Sequence, residues 1–374
     1  MRSAGSSTPA GAEFMAATYA PLRALFTDAG YGFVEPPILH AADVFVELAG
    51  EDLRRRLFLT AAADGREMAL RPDYTIPVCL HHLAGGPARR RAGYAYLGPV
   101  FRQRSDEASE FLQAGVESLG RTDRVAADAD TLKLALAAVD SLGVRKPILR
   151  VGDSALFAAL LDGLDLSGPW RRRLARTFGD APRLRELIAR AADGAPQSTA
   201  GAPGMSRAAA KRKAAAMLAA TGLGTIGGRT ADEIADRMVE KAALAAGIGA
   251  PPARILGDFL DIVGPPVPAL EAVRALFRRN RLDAAKALDT FEARLEAFSA
   301  RGIDLDSLTF AADFGRRLDY YTGFVFEMHA SRRRGARQIV GGGRYDRLVA
   351  LIGDTGAVPA VGFAIWLDRI GAKQ

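Results

Sequence analysis

Cysteine is nearly absent: Cys79 stands alone among 374 residues. That excludes a disulfide framework and a cysteine-based zinc site. Histidine is scarce too. His40, His81, His82 and His329 show no HxxxH or HExxH spacing, which argues against a histidine metal centre. No apolar run approaches the ~20 residues needed to span a bilayer, and no charged-then-apolar leader opens the chain. A cytoplasmic protein with no membrane partner, no metal and no cofactor is therefore expected. What remains is an ordinary globular mix, 49% hydrophobic and 25% charged. At ~100–200 residues per domain the chain holds roughly two or three domains.

Lys and Arg number 50 against 43 Asp and Glu, a net charge of +7. Residues 145–300 contain 24 basic and 17 acidic side chains, so they carry the whole excess; elsewhere 26 basic residues balance 26 acidic ones. A basic surplus invites a nucleic-acid hypothesis. Its confinement to one stretch leaves two readings, an acidic partner surface or a well-solvated face.

Residues 1–14 are Ser, Gly, Ala, Thr and Pro with little apolar content and read as a disordered tail. Met15, Tyr19, Leu22, Leu25 and Phe26 then recur at helical steps, predicting a helix that ends at Gly30. Phe33 to Leu39 reads as a strand broken by Pro36 and Pro37. Arg56–Thr60 and Glu67–Leu70 flank Asp64-Gly65, a hairpin signal. Tyr94–Leu97 and Phe111–Ser118 bracket another turn, and residues 126–142 are helical. From about 150 to 300 the spacing is helical throughout, with loop-like breaks at Pro196–Gly204 and Gly222–Gly228. β-character returns at Leu318–Met328 and Gln338–Gly341, and a last helix-like segment begins near Phe363. The expected organisation is a core in two parts, 15–150 and 305–374, around a helical insertion at 151–304.

Five segments carry chemistry. In Arg71-Pro72-Asp73-Tyr74-Thr75 an acid and a hydroxyl at alternate positions project to one face of a strand end; they suit an ammonium group or are simply a polar strand exit. In the strand Phe111–Glu117, Gln113, Gly115 and Glu117 share a face, leaving either a groove for a small ligand or a solvated face. Tyr321, Gly323, Val325 and Glu327 form a similar set after Arg316, a residue type that grips carboxylates bidentately. Gly341-Gly342-Gly343-Arg344-Tyr345 fits neither GxGxxG nor a P-loop, so close backbone packing competes with a phosphate cradle. Pro359–Arg369 reads as a small-residue strand running into a helix.

Singly these are weak; in order they resemble the catalytic core of histidyl-tRNA synthetase, a class II synthetase. Arg71–Thr75 is similar to its Arg-Pro-Glu-Gly-Thr, and Gly98–Glu117 to motif 2. Arg316–Tyr321 is similar to the signature Arg-Gly-Leu-Asp-Tyr-Tyr, with Arg317 in place of the glycine. Gly342–Leu348 resembles Gly-Gly-Arg-Tyr-Asp-Gly-Leu, Pro359–Arg369 motif 3, and Pro37 the motif 1 proline of the dimer interface. The resemblance implies an α+β fold, a class II synthetase-like antiparallel sheet flanked by helices, with a helical insertion. It also implies a histidine pocket of Asp73, Thr75, Gln113, Glu117, Arg316, Tyr320, Tyr321 and Tyr345.

The nucleotide side departs from a synthetase. Arg102 and Arg369 match the motif 2 and motif 3 arginines, but Arg104 stands where a Glu would read adenine, and a cation cannot accept that hydrogen bond. Trp366 replaces a small glycine and fills the nucleotide's space. The motif 2 loop, Ser105 to Glu110, carries three carboxylates that repel phosphate. The chain ends five residues beyond Arg369, leaving no room for an anticodon-binding domain. This pattern resembles the regulatory subunits of short-form ATP phosphoribosyltransferase, paralogues of the synthetase. That resemblance implies no catalysis by this chain. It implies a dimer that activates a short catalytic subunit and conveys feedback by L-histidine, with nucleic acid not a partner. The alternative is a synthetase-like amino-acid ligase that adenylates histidine.

Overall fold

In the computed structural model, residues 19–193, 206–221, 230–315, 321–330, 337–353 and 356–370 are described. In chain order they form α1 (Ala20–Asp28), β1 (Gly32–Phe33), β2 (Leu39–Ala41), α2 (Ala42–Arg54), β3 (Leu59–Ala61), β4 (Glu67–Leu70), α3 (Thr75–Ala84), β5 (Ala92–Phe101), β6 (Glu110–Leu119), α4 (Arg124–Ser141) and β7 (Ile148–Asp153). There follow α5 (Ser154–Gly163), α6 (Gly168–Thr177), α7 (Ala181–Ala192), α8 (Arg207–Thr221), α9 (Ala231–Ala245), α10 (Ala250–Leu260), β8 (Val263–Gly264), α11 (Pro266–Arg279) and α12 (Ala285–Ala300). Last come β9 (Leu308–Ala311), β10 (Phe324–His329), β11 (Gln338–Arg344), α13 (Leu348–Gly353) and β12 (Ala360–Trp366).

The chain folds as two compact units, one of residues 1–151, 292–309 and 320–374, the other of 152–291 and 310–319. The first is built on a mostly antiparallel sheet in the order β1-β5-β6-β12-β11-β10, followed by β7, with β1 parallel to β5. A small sheet, β2-β4-β3, stands apart from it. The Asp64-Gly65 turn joins β3 to β4 in antiparallel register, Leu59 opposite Ala69. Helix α4 buries Ala129, Leu132, Ala135 and Val139, a stripe at three- and four-residue steps, and leaves Leu136 and Leu142 only partly buried. It also buries Asp128, which holds Arg344 and Arg294 at 2.6 and 2.9 Å.

The second unit is mainly helical. Its helix starts are capped as the sequence allows: Asp153 accepts from the Ala155 amide at 2.8 Å, Asp180 from Arg183, and Thr230 and Glu233 form a reciprocal capping box. Phe157 stacks on Phe178 with ring centroids 4.2 Å apart. Helices α8 and α9 pack through Ala210, Ala214 and Ala235. Much of the unit's basic charge is paired on its surface, Arg207 with Asp236 at 2.6 Å and Lys211 with Asp232 at 2.9 Å.

Three expectations are corrected. The Phe33–Leu39 run is strand only at its two ends, because Pro36 and Pro37 cannot donate to a ladder. Thr75 opens α3 instead of ending a strand. The segment near Phe363 is not helical: β12 continues through Trp366 and is followed by a single 3-10 turn, Leu367–Arg369. Its small residues are taken up between β6 and β11, where Gly362 faces Glu117 on one side and Gly343 on the other.

Candidate functional site

One face of the main sheet is floored with glycine. Registers place Gly98 of β5 opposite Gln113, Gly362 of β12 opposite Glu117, and Gly341 and Gly343 of β11 opposite Ala364 and Gly362. Opposed residues share a face, so the polar side chains of β6 rise among neighbours without bulk. The bareness is required. A Cβ on Gly362 would lie 1.7 Å from Glu117 Oε2, and one on Gly115 would lie 2.1 Å from the Phe363 carbonyl and 2.5 Å from the Tyr96 hydroxyl.

Glu117 is the centre of this face and is buried. The Tyr345 hydroxyl donates to its Oε2, the Thr75 hydroxyl also bonds to it, and the Tyr96 hydroxyl lies 3.5 Å from Oε1. Desolvation outweighs these bonds and pushes the carboxyl up to about 8, so it holds its proton at neutral pH. Asp73, at the start of α3, lies near enough to add repulsion. Its own value is raised by burial, against the pull of Arg102 and the amides of Ile76 and Thr75. Tyr321 meets Tyr345 edge-on at 6.4 Å. Tyr74 stacks on Tyr96 at 4.4 Å and carries the Arg71 guanidinium over its other side at 4.1 Å. Arg71 in turn bonds the carbonyls of Pro99 and Pro36 at 2.8 and 2.7 Å, tying this corner of the pocket to β5.

Among the described residues the pocket keeps unmet hydrogen-bonding capacity. Gln113 is fully buried, and neither its amide nitrogen nor its amide oxygen has a partner; nor has Asp73 Oδ1. Leaving such groups unpaired costs ~1–3 kcal/mol each, and they are the groups a small polar ligand would satisfy. Of the eight expected histidine-pocket residues, Asp73, Thr75, Glu117, Tyr321 and Tyr345 are drawn together and Gln113 lies on the same sheet face. Arg316 and Tyr320, like the neighbouring Arg317, lie outside the described residues. Tyr74 and Tyr96 were not singled out from sequence, although Tyr94-Ala95-Tyr96 alternates as a strand should.

Beside this pocket lies a cleft of about 360 Å³ lined by Arg56, Arg102, Arg104, Arg337 and Arg369, with Trp366 and Phe111. Four of its arginines, Arg102, Arg104, Arg337 and Arg369, are held by other groups of the chain. Arg102 donates to the Pro72 carbonyl at 2.6 Å and stands 3.7 Å from Asp73. Arg104 lies flat over Phe111 at 3.6 Å and is paired with Glu107 at 3.1 Å and Asp368 at 2.9 Å. Trp366 is buried, with Arg369 5.3 Å from its ring. The acidic loop does more than repel. Glu107 is held by Arg104, Arg337 and Arg369 together, and its carboxyl sits below the usual range, chiefly through the Arg369 bond. Three carboxylates within six residues, next to Arg102 and Arg104, were the sequence signal for this.

Comparison with known proteins identifies the family. The histidyl-tRNA synthetase family profile matches residues 6–223 and 229–370. An ATP phosphoribosyltransferase regulatory subunit of Brucella canis is 43% identical over 348 residues, 91% of this chain and 92% of that protein. The chain belongs to the ATP phosphoribosyltransferase regulatory subunit family, within the histidyl-tRNA synthetase-like proteins. Solved structures share the fold. An ATP phosphoribosyltransferase regulatory subunit/histidyl-tRNA synthetase from Bacillus halodurans superposes with a TM-score of 0.70 at 20% identity, over 98% of this chain and 80% of that one. A histidine–tRNA ligase subunit from Alicyclobacillus acidocaldarius gives 0.57 at 25% identity, over 99% and 95%. The class II synthetase-like α+β fold expected from the motifs is the fold of this regulatory subunit family. No described helix is long and apolar enough to cross a membrane.

Proposed function

We propose that this chain is the non-catalytic regulatory subunit of a short-form ATP phosphoribosyltransferase. It docks on the catalytic chain, activates it, and conveys inhibition by L-histidine to the first step of histidine biosynthesis. The observation that carries the reading is the pairing of a buried polar cluster with unmet hydrogen bonds and an arginine cleft largely committed to the chain's own groups. Gln113 and Asp73 keep unmet bonds, while Arg104, Arg369 and Trp366 are committed to the chain's own groups.

In the pocket, the α-ammonium of histidine pairs with Asp73 and Thr75, and the imidazole meets Glu117 and the Tyr345 hydroxyl. Gln113 supplies a donor and an acceptor. Arg316 and Tyr320 belong to the same proposed pocket. A ligand that binds one arrangement of the complex better shifts the population toward it, with a coupling of ~1–3 kcal/mol. Adenylation is disfavoured because Arg104 and Arg369 are committed to the chain's own carboxylates and Trp366 keeps a buried place beside them. The chain is proposed to self-associate through the Pro37 region, where Ile38 and Leu39 are exposed beside the edge strand β2.

The test is reconstitution with a short catalytic chain. Activity is expected only with both chains present, with inhibition by L-histidine that Gln113→Ala or Glu117→Ala relieves. Histidine-dependent pyrophosphate–ATP exchange by the isolated chain would overturn the reading, and unchanged inhibition in both variants would remove histidine from this pocket.

A further inference from the structure

Glu107 makes contacts that a polyphosphate would otherwise make. Its two oxygens meet Arg369 as a fork, Oε1 to Nε at 2.9 Å and Oε2 to Nη2 at 2.8 Å. Oε1 also lies 2.9 Å from Arg337 Nη1, and Oε2 lies 3.1 Å from Arg104 Nη1. Three guanidiniums converging on one half-buried anion is the arrangement by which arginines bind phosphate oxygens. The carboxylate comes from the loop between β5 and β6. Its neighbour Asp106 is exposed and lines the same cleft, so proximity to the arginines alone does not explain why Glu107 holds the centre.

We propose that the arginine cleft is a latent binding site for a polyphosphate chain, and that Glu107 is the internal anion that keeps it shut. Removing the Glu107 charge frees Arg337, one face of Arg104 and the Nε and Nη2 groups of Arg369, whose Nη1 stays on the Gln338 carbonyl at 2.6 Å. The base side stays closed, because Arg104 remains tied to Asp368 and to the Ala108 carbonyl, and Trp366 keeps its buried place. The site therefore takes the phosphate chain and gains nothing from an adenosine. The inference rests on reading this cleft as the counterpart of a nucleotide site; it does not depend on histidine binding, so the two fail separately.

The experiment is titration calorimetry of the full chain with inorganic tripolyphosphate and, in a second arm, ATP. The wild type and Asp106→Asn are expected to show no saturable binding at millimolar ligand. Glu107→Gln is expected to bind tripolyphosphate at least about tenfold more tightly, the effect of a single charge-assisted contact. ATP should bind it no better, and adding Arg369→Gln should abolish the gain. Glu107→Asp withdraws the carboxylate by one methylene and should show a smaller gain, which keeps the test alive if the glutamine variant does not fold. Equal binding by the wild type, opening by Asp106→Asn as large as by Glu107→Gln, or no gain in either folded Glu107 variant overturns the proposal.

Discussion

Arg369 and Glu107, far apart in sequence, form a two-pronged pair with bonds of 2.9 and 2.8 Å. The side chains are 17% and 13% exposed, so solvent screens the pair only partly and removing one member leaves a half-buried charge. Arg369→Ala should destabilise the first unit by ~1–3 kcal/mol in urea denaturation. The pair also sets a pH dependence. Because the folded-state carboxyl of Glu107 is depressed, its contribution is complete above the ordinary glutamate range and is lost as pH falls through the folded value. Glu107→Gln should therefore show a shallower loss of stability on acidification than the wild type.

Glu117 carries the opposite sign. Its folded-state value of about 8 stands above the ordinary glutamate value of 4.5. Between those limits the folded chain holds a proton that the unfolded chain has released, so stability falls as pH rises. Glu117→Gln removes this component. The variant should gain on the wild type as pH increases from 6 to 8, by up to ~1.4 kcal/mol per pH unit. Thermal melts of both proteins across that range measure it.

Asp128 is buried between two arginines, with Arg344 at 2.9 and 2.6 Å and Arg294 at 2.9 Å. Arg344 also reaches Asp346 at 2.8 Å. Asp128→Ala should cost ~3–5 kcal/mol, because it leaves buried cations without their shared anion. A fall in the urea midpoint smaller than that expected for a surface pair would contradict the assignment.

Gly362→Ala tests the glycine floor. Its added methyl would meet Glu117 Oε2 at 1.7 Å and the Val116 carbonyl at 2.4 Å, and the second contact is backbone that cannot swing aside. The variant should lose more than ~2 kcal/mol of stability. Any histidine binding measured for the wild type should be lost with it.

At the start of the edge strand β2, Leu39 and the preceding Ile38 are each 42% exposed, next to Pro37. Exposed apolar groups on an unpaired edge favour self-association. Ile38→Glu with Leu39→Glu should shift the chain toward monomer in sedimentation velocity while leaving the circular dichroism spectrum unchanged.

Much of the site could be read directly from the residues. Period-two alternation puts Gln113, Gly115 and Glu117 on one face of β6 whatever surrounds that strand, while Arg104 and Trp366 stand out only against the synthetase motifs that the chain resembles. The order of the motifs identified the family. Tertiary structure decided the rest, because the remaining partners lie far apart in the chain. Only packing shows that the Tyr345 hydroxyl and Thr75 meet on Glu117, and that burial there outweighs their bonds and keeps the carboxyl protonated. Only packing turns Gly362–Trp366 into a strand, since its small residues are chosen by the neighbouring β6 and β11 and carry little preference of their own. The acidic loop shows the difference most directly. From sequence its carboxylates could only repel a phosphate by their charge; in the fold one of them, Glu107, reaches three arginines whose positions depend on residues up to 262 apart.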